Sequence, residues 1–246
     1  MTNKVEQAHW DASYARTQPH VVPRGHVIRR WIERYVPRTE SGTALEVGCY
    51  PGRFLAVLGE LGYEVNGVDL TPGVESLAEW MRSRGFRTGT VARADFFAYD
   101  PGRTFDVVMS LGFIEHFTEF ERVLERHLAL VAPGGMLVLQ TPNLGGAFHG
   151  WLYRAFDPAD YARHHLPAMD PARWAEIARD HGFDVVFAGC FGSFHFWMDP
   201  AGRPVWQRVS LLGLRVAARV LRPVLPRDRP AHAPACGLIA RRTPTK

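Results

Sequence analysis

The sequence predicts an α/β protein with a doubly wound, mostly parallel sheet of seven strands. Short apolar segments alternate with segments of helical character over residues 44–141, which is typical of βαβ units. The run Val107-Val108-Met109 is apolar on consecutive residues, which indicates strands covered on both faces. With 246 residues, 46% of them hydrophobic and 22% charged, the chain has a globular composition and is long enough for one large domain or two small ones.

The first 43 residues are predicted to form a helical segment that covers the site as a lid. Its start is polar, with aromatic side chains at Trp10 and Tyr14. A helix is predicted over residues 25–35 and ends before Pro37.

Residues 44–190 are predicted to form the α/β core that binds a cofactor. Within it, residues 143–169 are rich in aromatic side chains and histidine but have no clear period, so we expect a loop that covers the substrate. Strands are predicted over 44–47, 64–70, 88–92, 105–111, 136–141 and 183–188, and helices over 53–61, 73–84, 119–131 and 171–181.

Residues 191–235 are predicted to be an insertion before the final strand and tail, residues 236–246. The insertion contains an amphipathic helix over 204–222, with an arginine stripe beside an apolar stripe. Such a helix could lie on a membrane or a lipid-like substrate, although packing on the domain or on a dimer partner is the favoured interpretation. The arginines are Arg208, Arg215, Arg219 and Arg222.

The net charge of +4 and the pI near 9.2 indicate a mildly basic surface and do not argue for a nucleic-acid partner. Cys49, Cys190 and Cys236 lie far apart, without zinc-site spacing. The first residues have no apolar signal-peptide region, and no run of about 18 apolar residues could span a bilayer. These features predict a protein of the reducing cytoplasm.

Ligands of open α/β sheets bind at the carboxyl ends of the strands, so the segment LEVGCYPG at 45–52 is a candidate ligand loop. The dinucleotide fingerprint would need glycine at 48, 50 and 53, but Tyr50 and Arg53 stand at two of these positions. A pyrophosphate ligand, and with it an oxidoreductase, is therefore disfavoured. A nucleoside remains compatible, because Asp69 can accept from ribose hydroxyls and Asp95 from an adenine amino group.

On these residues the sequence resembles the class I S-adenosylmethionine-dependent methyltransferases, from Trp10 to about Ala188 and again at the final strand. The resemblance is carried, in order, by LEVGCYPGRFL, GVDL, ARADFF, FDVVMSLGFIEHF, LVAPGGMLVLQTPN and HHLPAMDPARWAEIARDHGFDVV. It implies the Rossmann-like methyltransferase fold and S-adenosyl-L-methionine as the cofactor. The cofactor-binding residues it implies are Glu46, Gly48, Cys49, Tyr50, Gly52, Asp69, Leu70, Asp95, Phe96, Ser110 and Leu111.

Tyr50 departs from the family pattern, which usually has glycine there. Gly48 would let the backbone approach the ligand, and Gly52 would let the following helix start close to the strand. Tyr50 itself has three interpretations: it crowds the methionine end of the cofactor, walls the methyl-transfer site, or is a surface substitution.

Methyl transfer to a hydroxyl usually needs a general base, and His116 is the first candidate. His164 and His165 come next, from the covering loop, and Phe113 and Trp151 are expected to contact the substrate. Some family members bind a divalent metal through an ExxEH sequence. Here Gly112 replaces the first glutamate, so we expect no catalytic metal and no loss of activity with EDTA.

The predicted function is methyl transfer to a small, partly apolar molecule, with O-methylation favoured, N-methylation next, and secondary metabolism as a possible context. Ser110-Leu111-Gly112-Phe113 replaces the [DNS]PP[YFW] sequence of nucleic-acid amine methyltransferases, so no nucleic-acid partner is expected. Two alternatives stay open: a membrane-associated enzyme acting on a lipid-like acceptor, and a non-catalytic cofactor-binding relative in which Tyr50 blocks the methyl group. The oligomeric state is left open.

Overall fold

The computed structural model describes residues 2–244, so Met1 of the predicted lid and residues 245–246 of the predicted tail lie outside it. Seven strands form one sheet in the order β3-β2-β1-β4-β5-β7-β6, and β7 is antiparallel to both of its neighbours. The predicted fold class is confirmed. The strands are β1 (Thr43–Val47), β2 (Glu64–Asp69), β3 (Thr88–Arg93), β4 (Phe105–Leu111), β5 (Val131–Pro142), β6 (Phe183–Phe191) and β7 (Ala235–Arg242).

Helices flank the sheet on both faces, and two of them precede β1. Short 3-10 helices cover Pro72–Ser76, Ile114–His116 and Leu166–Met169. The α-helices are α1 (Gln7–Tyr14), α2 (Val27–Tyr35), α3 (Leu55–Glu60), α4 (Leu77–Ser83), α5 (Phe120–Ala129), α6 (Ala147–Phe156), α7 (Pro158–Ala162), α8 (Pro171–Asp180) and α9 (Val205–Leu221). No helix among residues 2–244 is both long and apolar enough to cross a bilayer.

The strand order places a topological switch point between β1 and β4. The chain runs outward from β1 to β2 and β3, then returns to place β4 on the other side of β1. The connections that leave β1 and β4 therefore go to opposite faces and leave a crevice above their carboxyl ends, where α/β proteins bind ligands.

The core has one apolar layer on each face of the sheet. Ala44 of β1 belongs to the layer that includes α2, α3 and α4, whereas Leu45 and Val47 belong to the layer that includes α5 and α8. Trp174 of α8 is fully buried, and its Nε1 donates to the carbonyl of Ala168 at 3.0 Å. Burial on both faces explains why the strands have no polar alternation in the sequence.

Residues 143–169 were expected to be an irregular loop, but they contain α6, α7 and a 3-10 helix. The buried face of α6 includes His149, Leu152 and Phe156, a helical spacing of three and four residues. Histidine and glycine on that face weaken the hydrophobic signal, which explains why the period was missed. These side chains pack in a third apolar cluster with Phe194, Phe196, Leu211 and Ala218 of the segment after β6.

Element boundaries differ from the sequence prediction mainly where turns are tight. The helix expected from Arg53 begins at Leu55, and the helix expected from Gly73 begins as a 3-10 turn before α4. Strand β5 begins at Val131 instead of Met136, because the Pro-Gly-Gly turn lies within the strand, where the register with β4 shifts.

Candidate active site

One cleft opens above the carboxyl ends of the central strands. Its floor consists of the segments that follow β1, β2, β3 and β4, and α1 covers it from the side of the N-terminus. It holds about 1150 Å³ of empty space, including its open mouth.

The loop after β1 approaches the cleft with its backbone because glycine occupies position 48. Gly48 has a φ of +72°, and a Cβ atom there would lie 3.1 Å from the ring of Phe113. Gly52 has a different role. Its φ is +82°, and a Cβ atom would lie 2.4 Å from Leu77 of α4, so Gly52 lets the loop pack on that helix and does not line the cleft. The predicted contact of Gly52 with the cofactor stays a prediction.

Tyr50 is buried, with 8% of its surface exposed, so the surface interpretation of this residue is wrong. Its hydroxyl donates to the carbonyl of Thr17 at 2.5 Å, and its ring lies edge-to-face on Tyr14 at 5.6 Å. A Cβ atom on Gly73 would lie 2.4 Å from this ring, so glycine is needed there for the tyrosine to fit. Tyr50 thus walls the cleft and holds the N-terminal segment against the loop after β1.

Asp69, at the end of β2, has a carboxylate oriented by two backbone amides. Oδ2 accepts from the N–H of Tyr50 at 2.9 Å and Oδ1 from the N–H of Thr71 at 2.7 Å. Burial raises its pKa, and the two amide hydrogen bonds lower it in part. Each oxygen keeps a second acceptor position, so the group can still accept from two hydroxyls of a ligand.

Glu46 of β1 is 3% exposed and lines the cleft, and its Oε2 has no hydrogen-bond partner among residues 2–244. Burial raises its pKa well above the usual value, while the neighbouring Arg53 lowers it. A buried oxygen without a hydrogen-bond partner at the wall of a cavity can accept a hydrogen bond from a ligand, for example from an ammonium group. Arg53 also lines the cleft and was not predicted.

The loop after β3 lies at the rim. Asp95 is exposed, and its Oδ1 accepts from the N–H of Phe97 at 2.9 Å. Phe96 is buried and packs edge-to-face on Phe113 at 5.7 Å.

The other predicted cofactor residues fall into two groups. Leu70, Cys49 and Leu111 line the cleft. Ser110 does not, because it is fully buried within β4 and its Oγ has no partner in the described chain.

His116, the predicted base, lines the cleft with 6% of its surface exposed. Its Nδ1 lies 3.2 Å from the carbonyl of Arg163, which favours the tautomer with the proton on Nδ1 and leaves Nε2 as an acceptor. Burial, reinforced by the neighbouring His164, lowers the pKa of His116 to about 3. The ring is therefore neutral at physiological pH, and it contacts Trp10 edge-to-face at 5.1 Å.

His164 lies behind His116, at 4.9 Å between ring centroids, and its Nδ1 lies 2.7 Å from the carbonyl of Asp160. Glu115, also buried, has a pKa raised to about 8 by desolvation. One ligand atom from each of Glu115, His116 and His164 lies within 4.8 Å of the others, so this trio is the group that could hold a metal ion among the described residues. The expectation that catalysis needs no metal stays a prediction.

Three of the four predicted substrate residues do not line the cleft: His164, which lies behind His116, and Trp151 and His165. Trp151 is 47% exposed on α6 and packs on Phe148 and Phe156 of the third apolar cluster. The ring of His165 packs on Phe120 at 6.2 Å and does not line the cleft. Phe113, in contrast, lines the cleft as expected.

The N-terminal helix brings residues that the sequence reasoning missed. Gln7, Trp10 and Tyr14 of α1 line the cleft. Trp10 stacks on Tyr14 at 6.1 Å. The spacing of four residues between these two aromatics was the available signal, because side chains four apart share one face of a helix.

The chain matches the model of the family described as "Methyltransferase domain" over residues 20–187. This range covers most of the sheet and the whole floor of the cleft. The chain belongs to this methyltransferase family. The expectations of a class I methyltransferase, and of S-adenosylmethionine as its cofactor, are confirmed.

The chain also resembles individual proteins at low sequence identity. The methyltransferase is 29% identical over 99 residues to the ubiquinone biosynthesis O-methyltransferase of a Bradyrhizobium species, covering 40% of this chain and 39% of that protein. It is 26% identical to the protein of the same name from Leptothrix cholodnii, covering 63% of this chain and 69% of that one. A methyltransferase structure from Archaeoglobus fulgidus superposes with a TM-score of 0.57 at 20% identity, covering 87% and 93% of the two chains, which shows the shared fold.

The methyltransferase should lose stability in mild acid through His127, which lies beside the loop after β3. His127 is fully buried against Phe96, and burial lowers its pKa from 6.5 to about 4. The unfolded chain therefore takes up this proton first, and stability that is complete above about pH 6.5 falls as the pH drops toward 4. Between pH 7 and pH 5 His127 should cost about 2 kcal/mol of unfolding free energy.

The free energy of unfolding is measured by urea unfolding at pH 7 and at pH 5. We expect the difference between the two values to be smaller in His127→Phe than in the wild type, by the amount that His127 contributes. His20→Phe, at an exposed histidine, is the matched control and should keep the wild-type difference. An unchanged pH dependence in His127→Phe would contradict the assignment.

Proposed function

We propose that this methyltransferase transfers the methyl group of S-adenosylmethionine to a hydroxyl of a small, partly apolar acceptor that binds between α1 and the loop after β4. The observation that carries this proposal is the neutral, buried His116, which shares the cleft with Asp69 and Glu46 and contacts the aromatic face of α1. The names of the distant relatives, O-methyltransferases of ubiquinone biosynthesis, favour oxygen as the acceptor atom.

Three acidic side chains are placed to hold the cofactor. Asp69 keeps free acceptor positions for the two ribose hydroxyls, and its backbone hydrogen bonds hold the carboxylate in place. Glu46 offers its orphaned oxygen to the ammonium group of the methionine part. Asp95 and Phe96, at the rim, are placed for the adenine edge and face. When bound, the cofactor supplies the electrophilic methyl group, and the protein mainly positions the partners.

The acceptor half of the cleft has aromatic walls. Trp10 of α1 packs on His116 of the loop after β4, Tyr14 packs on Tyr50 of the loop after β1, and Phe113 and Phe117 also line the cleft. Apolar rings bind an apolar acceptor body and exclude water, while the few polar groups orient its reactive atom.

His116 is placed to take the hydroxyl proton. Its Nδ1 is held by the carbonyl of Arg163, so Nε2 presents the lone pair. Burial makes this imidazole a weak base in the free protein. A ligand atom of Glu115 lies within 4.8 Å, and the ionised form of this carboxyl would stabilise the imidazolium, since opposite charges at this distance attract each other.

The non-catalytic alternative rested on Tyr50 blocking the methyl group. Its side chain is held by Thr17 and Gly73 at the wall, which supports a structural role for the tyrosine. This position argues against the non-catalytic alternative.

The proposal is tested with methyl-labelled S-adenosylmethionine and matched acceptors that carry either a phenolic hydroxyl or an amine on the same apolar ring. We expect label transfer to hydroxyl acceptors, at a rate unchanged by EDTA. Transfer only to amines would contradict the role of His116 as a base, and loss of activity in EDTA that Mg²⁺ or Mn²⁺ restores would assign the Glu115 trio to a metal.

A further inference from the structure

Helix α9 packs on the domain through one apolar face and leaves a second apolar face that no part of residues 2–244 covers. On its inner side Leu211 and Ala218 are buried in the third apolar cluster, and Leu214 is partly buried there. At 100° per residue these side chains occupy one side of the helix. These three side chains attach α9 to the domain through one face of the helix.

A second apolar stripe lies roughly opposite this buried face. Its five members recur every three or four residues and share an arc of about 80°. They are among the most exposed apolar side chains of the protein: Val205 (72%), Val209 (65%), Leu212 (63%), Val216 (57%) and Val220 (68%). A contiguous exposed stripe of this kind marks an interaction site rather than scattered surface residues.

Four arginines form a row between the two apolar faces, and residues 204–222 contain no aspartate or glutamate. Arg215 donates to the carbonyl of Met198 at 2.8 Å and Arg222 to that of Phe194 at 3.3 Å, so these two are fixed to the domain. Arg208 and Arg219 are exposed and make no side-chain hydrogen bond within the described residues. The outer face of α9 therefore combines apolar surface with uncompensated positive charge.

We propose that α9 is the docking surface of this enzyme for an anionic phospholipid bilayer. The helix lies in the plane of the interface, with the Val205–Val220 stripe among the acyl chains and the arginine row at the level of the lipid phosphates. Trp206, 59% exposed at the start of the helix, supplies an aromatic side chain of the kind enriched at this depth.

The charge pattern favours a membrane over a second copy of the chain. An antiparallel two-fold contact through the same stripe would bring two arginine rows to the same side, and in either orientation α9 has no acidic side chain to pair with an arginine of the other copy. An anionic lipid surface supplies the missing negative charge and the apolar phase at once. The inference does not depend on which acceptor the enzyme methylates.

Flotation with vesicles tests the proposal. The full chain is mixed with vesicles of phosphatidylcholine alone, or with vesicles in which about one third of the lipid is anionic phosphatidylglycerol. The bound fraction of protein is then measured against the lipid concentration. We expect binding to the anionic vesicles only. Arg208→Glu/Arg219→Glu should weaken it at least about tenfold, because two basic side chains that attract the anionic surface are replaced by acidic ones that it repels. Val209→Ser/Leu212→Ser/Val216→Ser should weaken it similarly at constant charge.

Matched controls separate surface chemistry from folding. Arg82→Glu/Arg179→Glu reverses two exposed charges on α4 and α8, and Val186→Ser changes an exposed apolar residue of β6, 51% exposed. Both should bind vesicles like the wild type, and all variants should keep the wild-type melting temperature and S-adenosylhomocysteine affinity.

Absence of binding, or equal binding by the wild type and the Arg208→Glu/Arg219→Glu variant, would overturn the proposal. Concentration-dependent dimerisation that Val209→Ser/Leu212→Ser/Val216→Ser abolishes, without vesicle binding, would assign the stripe to a second copy instead.

Discussion

Replacing Asp69 with alanine should lower the affinity for S-adenosylmethionine and S-adenosylhomocysteine at least about 100-fold. Two charge-assisted hydrogen bonds to the ribose would be lost, each worth about 1.5–3 kcal/mol. The variant also frees the N–H groups of Tyr50 and Thr71, which Asp69 holds at 2.9 and 2.7 Å, so the loop after β1 loses part of its order. Calorimetric titration measures both affinities, with NAD as a ligand that should not bind.

Two variants make this result specific. Asp69→Asn keeps the shape but removes the charge, so its affinity should lie between those of the wild type and Asp69→Ala. Asp184→Ala removes an exposed carboxylate of β6 and should bind like the wild type. Undiminished affinity in folded Asp69→Ala protein would show that the ribose is not held at the end of β2.

Replacing His116 with alanine should lower kcat about 10²- to 10⁴-fold for a hydroxyl acceptor, because general-base catalysis is typically worth that factor. Cofactor affinity should stay within about threefold, because the proposed contacts with the ribose, the ammonium group and the adenine are made by side chains other than His116. Single-turnover rates at saturating cofactor separate this chemical step from binding.

The His116 result needs a control for packing, since the ring also contacts Trp10 and His164. Phe113→Leu changes an aromatic wall of the same cleft without removing a base, and should raise the acceptor KM more than it lowers kcat. His20→Ala, at an exposed histidine, should be silent. Full turnover by His116→Ala would remove the base from the mechanism.

The parts of this enzyme that the sequence predicted are those set by local chemistry. Strands β1 and β4 are buried on both faces, so their apolar runs identify them. Gly48 and Asp69 line the cleft as expected, because each follows or ends a central strand, and ligand clefts of α/β sheets lie at the strand ends. The resemblance to the methyltransferase family then implied the cofactor.

What the sequence could not predict depends on contacts between distant segments. His164 meets His116 only because the carbonyls of Asp160 and Arg163 orient the two rings, 4.9 Å apart. Trp151 looked like a substrate contact because aromatic side chains surround it, but α6 turns it toward the third apolar cluster. Gly52 resembled a ligand contact, whereas the side chain of Leu77 on α4 is what requires glycine there.

Hydrogen exchange with and without S-adenosylhomocysteine tests most directly whether this cleft is the cofactor site. We predict slower amide exchange in four separate segments that line it, residues 46–54, 69–71, 94–97 and 111–117, with no such change on adding NAD. Two results would contradict the account. One is protection confined to other segments, for example residues 29–38. The other is saturable binding of S-adenosylhomocysteine without protection of residues 46–54 and 69–71.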